Sequence, residues 1–170
     1  MAINFDNIRQ AEGILDELTP LKTKIEEKIN LSRTVGNEKR VTLTSNKIMR
    51  VCLIAGLALN DQRKREDYEN VQLSRSTKIW SSFFTLNQMH AIFEAVLKLR
   101  YKDFKVDWND SPTVSRIIAS EMRRGFRHLM DDNNLNDFLF TVTTAHGTSH
   151  SIPVLNLLIG NYDDEEMEAV

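Results

Sequence analysis

Residues 45–60, SNKIMRVCLIAGLALN, admit few arrangements. The segment opens with the helix-capping residues Ser45 and Asn46 and then carries almost no polarity beyond Arg50. A helix that is apolar nearly all round has no face to offer to water and must be covered on every side. A chain of 170 residues is long enough for one domain with a real core and little more. In it, such a helix is the central core helix, an oligomer interface, or both. Ala55, Gly56 and Ala58 allow a second helix to come close. Arg50, near the helix start, is either a satisfied structural arginine or a phosphate ligand on the rim.

A second helix is legible over residues 115–129. At about 100° per residue, Arg116, Arg123 and Arg127 fall within roughly 40° of one another, with Val114, Ile118, Met122, Gly125 and Leu129 on the far side. The arginines spread over about 16 Å of helix, and each guanidinium is a planar fork that suits phosphate oxygens. Two readings are open: a ridge that follows a nucleic-acid backbone, or a solvated helix face.

Elsewhere the pattern is mixed. Ile8, Ala11, Ile14, Leu15, Leu18, Leu21, Ile25 and Ile29 keep a helical period interrupted at Thr19-Pro20, which predicts two short helices or one kinked helix with Thr19 as an N-cap. Val41-Thr42-Leu43-Thr44 is short and alternating, either a strand or an extended lead into the next helix. A strand there would open a ribbon-helix-helix unit, in which paired strands from two subunits enter the major groove. Residues 61–70 form a charged linker or loop, where Arg63-Lys64-Arg65 either clamp phosphates or are neutralised by the acids beside them. Residues 74–78 add cations and hydroxyl donors, and residues 79–84 read as an aromatic plug. A capping box at residues 85–88 starts a helix reaching Phe104. Its terminal cations Lys98, Arg100, Lys102 and Lys105 suit the helix dipole without any ligand. After Asp131-Asp132-Asn133-Asn134 the period shortens, and residues 138–144 and 151–155 read as two strands, the second confined to an edge by Pro153.

Charge is partitioned along the chain. Residues 31–130 hold eighteen Lys and Arg against ten Asp and Glu, while residues 131–170 hold eight acids and no base. A basic middle suggests a polyanionic partner, and an acidic end a solvating tail that competes for the basic face or recruits protein. No apolar run approaches the ~18–20 residues that span a bilayer, and the N-terminus lacks a signal-peptide layout. With Cys52 the only cysteine, an intramolecular disulfide and a cysteine-pair zinc site are excluded. A cytoplasmic protein without membrane association is expected.

Signatures of catalysis are largely missing. The sequence contains no phosphate-binding P-loop, dinucleotide-binding glycine pattern or serine-hydrolase elbow. His146 and His150 have a four-residue spacing, but Gly147 and its turn context oppose a helical metal pair. Cys52 lies within the apolar helix, as an inert thiol would. The expectation is a protein that is not an enzyme and uses no cofactor or metal.

Two blocks together resemble the DndE family, the small subunit associated with bacterial DNA phosphorothioation. The first is residues 43–59, with Asn46, then Arg50, then the apolar helix. The second runs from Trp80-Ser81-Ser82-Phe83-Phe84 through Leu97-Lys98-Leu99-Arg100-Tyr101-Lys102-Asp103 to Arg123-Arg124-Gly125-Phe126. Order and approximate spacing agree over residues 40–130. The resemblance implies a mainly helical, oligomeric subunit that binds DNA with a preference for nicks, beside sulfur-transferring and ATPase subunits that perform the chemistry. The acidic N-terminal helices and residues 131–170 depart from the family's shorter pattern.

The expected fold is mainly α: a compact multi-helix domain with a central apolar helix, a short strand near 40–44 and a C-terminal β-hairpin. Residues 1–30 form an N-terminal helical extension, 31–135 a DndE-like core, 136–162 the hairpin and 163–170 an acidic tail. Arg116, Arg123, Arg124 and Arg127 are the first candidate DNA ligands, with Lys39, Arg40, Lys47 and Arg50 a second cluster. Expected partners are the DNA backbone, nicked duplex included, the phosphorothioation subunits and further copies of the chain. A protein-assembly scaffold without DNA contact and a ribbon-helix-helix regulator are the alternatives.

Overall fold

Gly13 sets the course of the N-terminal segment. Its φ of 71° lies in the left-handed region, which costs a residue with a Cβ about 1–2 kcal/mol. Before it come a 3-10 turn, Phe5–Asn7, and the short strand β1, Arg9–Ala11; after it runs helix α1, Ile14–Ser32. The computed structural model describes residues 2–32, 42–79, 82–85 and 89–140. Of the two readings at Thr19-Pro20, two short helices or one kinked helix, the chain adopts a single helix that runs through Pro20. Thr19 Oγ1 donates back to the Leu15 carbonyl at 2.9 Å rather than capping a new helix. Pro20 lies on the exposed side, where the carbonyl that loses its partner is open to water. Ile14, Leu18, Leu21, Ile25 and Ile29 make one fully buried stripe.

Helix α2, Ser45–Ala58, is the apolar segment. Thr44 is its N-cap, accepting the Lys47 N–H at 3.3 Å. Residues 42–44 are thus an extended lead and not a strand: the Thr44 backbone is extended as an N-cap requires, and its carbonyl accepts the Ile48 N–H of the helix at 3.2 Å instead of a ladder bond. A short helix α3, Glu66–Glu69, precedes strand β2, Leu73–Lys78. Helices α4, Ser82–Thr85, and α5, Met89–Arg100, follow. Helix α6, Ser111–Leu129, is capped by Asp110, which accepts the Thr113 N–H at 3.0 Å, with Pro112 in its first turn. Helix α7 covers Asp132–Phe140. Residues 138–140, expected to begin a strand, are its last turn: Leu135 and Leu139, four apart, are both fully buried, a helical period that overrides the β-prone Phe138-Leu139-Phe140. The rest of the expected hairpin and the acidic tail lie outside the described residues.

The fold of the described residues is mainly α with an antiparallel strand pair, β1 with β2. Helices α2 and α6 form its centre and cross at two glycines. A Cβ on Gly56 would sit 2.0 Å from the Glu121 carbonyl oxygen, and one on Gly125 would sit 1.9 Å from that of Cys52. Only glycine on both sides permits this separation. Around the crossing, Leu53, Ile117 and Ile118 are wholly enclosed, each such side chain contributing about 1.5–3 kcal/mol. The N-terminal segment is part of this same core rather than an appendage: Phe5 stacks on Phe84 at 4.5 Å between ring centroids, and Ile8 and the α1 stripe join the cluster containing α2 and α6.

Candidate nucleic-acid interface

Among the described residues, the arginines divide into an inner set spent on the protein's own acids and an outer set that faces solvent. The division departs from the sequence expectation because α6 is buried on nearly every side, including most of its cationic one. The N-terminal segment runs beside α6 and α7 in the same direction. Ser111 Oγ donates to the Asn7 carbonyl at 2.6 Å, the Arg9 N–H to Ser115 Oγ at 3.0 Å, Lys24 Nζ to the Met130 carbonyl at 2.6 Å and Lys28 Nζ to Asn136 Oδ1 at 3.0 Å. Partners stay 104 to 108 positions apart throughout, as segments that run in the same direction require.

This neighbour takes up the ridge. Arg123 Nε donates to Glu17 Oε2 at 2.8 Å. Arg116 is half-buried, and its Nε is enclosed without a hydrogen-bond partner. Arg127 alone of the ridge is exposed, and it makes no ion pair among the described residues. In the second cluster, Lys47 is half-buried on the first turn of α2. Arg50 is buried, donating from Nε to the Phe83 carbonyl at 3.3 Å with its guanidinium 5.0 Å above the Phe83 ring. It is the satisfied structural arginine of the two readings. Lys39 and Arg40 lie outside the described residues.

Arg124, expected among the phosphate ligands, belongs to a buried charge network. Arg63 Nε and Nη2 grip the Glu121 carboxylate at 3.1 and 3.0 Å, with side-chain exposures of 2% and 0%. The remaining Arg63 donors serve the Gly56, Leu59 and Asp61 carbonyls, closing the C-terminus of α2. Tyr101 donates its hydroxyl to Glu121 Oε1 at 2.7 Å. Arg124 reaches Asp61 Oδ2 through Nη1 and Asp67 Oδ2 through Nη2, the latter at 2.8 Å. Burial alone would lower its basicity, but Glu121, Asp61 and Asp67 outweigh that and hold the guanidinium firmly charged. Burial first, then Glu121, pushes the Tyr101 hydroxyl up, so it stays a donor. Of the two readings for residues 61–70, neutralisation by neighbouring acids is the one adopted by Arg63, with Glu121 from α6 as the decisive partner. That partner lies 58 positions away and leaves no local trace in the sequence.

The outer cations include a set that sequence periodicity did not place on a strand. Arg9 on β1 and Arg75 and Lys78 on β2 are exposed, and Arg9 and Lys78 are directly paired in the ladder. Residues 74–78 are legible as cations and hydroxyl donors. Their pairing is not, because β1 is three residues long and lies more than sixty positions upstream.

Among the described residues no group of three or more His, Cys, Asp and Glu side chains could hold a metal ion, and no helix is long and apolar enough to cross a membrane. Burial pushes the Cys52 thiol up to about 12, far from a nucleophile's range. No protein-family model matches the chain, and neither the curated proteins nor the solved structures contain a match to it.

Proposed function

We propose that this protein is a non-catalytic DNA-contacting or DNA-positioning subunit of a DNA phosphorothioation assembly, binding the phosphate backbone, nicks included, through its outer cations. The observation that carries the reading is the division of the arginines. Arg63, Arg123 and Arg124 are matched by Glu121, Glu17, Asp61 and Asp67, whereas Arg9, Arg75 and Arg127 stand exposed with no ion pair among the described residues. Exposed cations left without an internal acid are the ones an external polyanion can use. The phosphorothioation context rests on the DndE-like order of residues 40–130, and the sulfur chemistry belongs to the partner subunits.

The test is binding of the purified protein to nicked, intact and single-stranded DNA of one sequence at low salt. Binding with a preference for the nicked duplex and little dependence on base sequence is expected. A well-folded protein that binds none of the three overturns the reading.

An assembly role is favoured by a separate observation. Ile92 and Leu99 on α5 are 56% and 61% exposed, and Ile92 lines an open apolar groove of about 270 Å³ together with Ile54, Leu57, Ala58, Phe93 and Val96. Ile92 and Leu99 are placed symmetrically about Ala95 and Val96, so two antiparallel copies of α5 would set each against the other's counterpart, as a two-fold contact requires. Light scattering of Leu99→Lys against the unaltered protein tests this: a fall in oligomer size is expected, and an unchanged size rejects this face as the contact.

A further inference from the structure

Strand β2 is longer than its partner can accommodate. Arg9 pairs with Lys78 and Ala11 with Leu73, so two steps along β1 correspond to five along β2. The surplus makes β2 bulge outward. The bulge is closed locally by the Thr77 N–H on Ser74 Oγ at 3.1 Å. At its ends the ladder is intact: the Ile79 N–H donates to the Ile8 carbonyl at 2.8 Å and the Glu12 N–H to the Gln72 carbonyl at 2.9 Å. Ile8, Ala11, Val71 and Ile79 are buried beneath, while residues 75–78 are all exposed. The Arg9 backbone is tied to α6 through Ser115. The result is a two-stranded ribbon seated on the long helix with an outer surface given to solvent.

The strands of that surface carry cations and hydroxyls, with the exposed acids Asp6 and Glu12 flanking β1. Neither β1 (Arg-Gln-Ala) nor β2 (Leu-Ser-Arg-Ser-Thr-Lys) contains an acid. Arg9 and Arg75 make no ion pair among the described residues, and Lys78 Nζ meets only the neutral Asn7 side chain at 3.2 Å. Ser76 and Thr77 hydroxyls lie between the cations, and hydroxyl donors are frequent partners of phosphate oxygens.

We infer that this bulged ribbon is the element that enters the major groove of B-form DNA, with Arg9, Arg75 and Lys78 held by the flanking phosphates. The inference rests on the reading of the chain as a DNA-contacting protein. A pair of strands about 4.8 Å apart fits a groove about 12 Å wide, which B-form DNA offers and the deep, narrow major groove of A-form RNA does not. The ribbon is formed within one chain, unlike the two-subunit ribbon that a strand at residues 41–44 would have required.

The experiment compares the full chain with Arg9→Ala/Arg75→Ala/Lys78→Ala by fluorescence anisotropy on a DNA duplex across a salt series, with an RNA duplex of the same sequence as competitor. The triple variant is expected to bind on the order of tenfold more weakly at low salt, with the slope of log K against log salt shallower by about three. The RNA duplex should compete poorly. Arg75→Ala alone, altered within the bulge and outside the paired positions, provides the same comparison if the triple variant melts early, with a slope change of about one. DNA binding by the unaltered chain that survives these substitutions overturns the ribbon and leaves the DNA reading standing. Equal competition by the RNA duplex overturns the major-groove placement. Absence of DNA binding by the unaltered chain overturns both.

Discussion

Glu121 is the fully buried acid that Arg63 grips with two nitrogens, and Tyr101 and Arg124 share it. Replacing Glu121 by alanine takes away the buried acid of this network and leaves Arg63 with Asp61 and backbone carbonyls and Arg124 with Asp61 and Asp67, and a loss of about 3 kcal/mol is expected in a denaturant titration. A loss below about 1 kcal/mol would show that water reaches the site. Cys52 makes the opposite kind of prediction. Its thiol is pushed up from 9.0 to about 12, by burial first and Glu17 second. Native protein at pH 8 should therefore resist a thiol reagent that labels it fully once unfolded. The unfolded thiol releases its proton first as pH rises, so this group's contribution to stability is intact below about pH 9 and disappears between there and about pH 12. Rapid labelling of the folded protein would contradict the burial. Cys52 was legible as an inert thiol because its neighbours in sequence are all apolar. Arg124 was not legible as a buried arginine, because its partners Asp61 and Asp67 come from another part of the chain.

At the scale of elements, α2 announced itself as the centre because it has no polar face. Its close partner was also foreshadowed by Ala55, Gly56 and Ala58. The glycine opposite is Gly125, on the helix expected to show an amphipathic face, and α6 is as enclosed as α2. Gly125→Ala places a methyl group where the Cys52 carbonyl oxygen stands, and backbone cannot move aside as a flexible side chain can. A loss of at least about 1–3 kcal/mol is expected, read as a lowered melting temperature; an unchanged melting temperature would mean that the helices are farther apart. The ridge of Arg116, Arg123 and Arg127 is a correct angular pattern whose covering element could not be read from α6 itself. The covering segment carries Glu17, and the periodicity that identified α1 as a helix gives no information on which helix it meets. The β ribbon escaped for a related reason: β1 is too short to alternate and β2 has almost no apolar residue to alternate with.

For the whole molecule, the charge partition is real in the sequence but is redistributed by folding. The acidic N-terminal segment lies along α6 and α7, where Glu17 pairs with Arg123 and Lys24 and Lys28 pair with Asp132. Hydrogen bonds from Lys28 and Lys24 hold the Asp132 carboxyl below the usual carboxylate range. The outer cations that no acid of the described residues pairs include Arg9, Arg75, Lys78 and Arg127, with the bulged ribbon as their most organised part. The outer cations should show as a property of the intact chain, the number of ions released when it binds DNA. The measurement is the slope of log K against log salt for the unaltered protein on a nicked duplex. Four outer cations, Arg9, Arg75, Lys78 and Arg127, set an expected slope of about −3 to −4, at roughly −0.9 for each phosphate neutralised. A slope near zero, or no measurable binding at low salt by the folded protein, would contradict it.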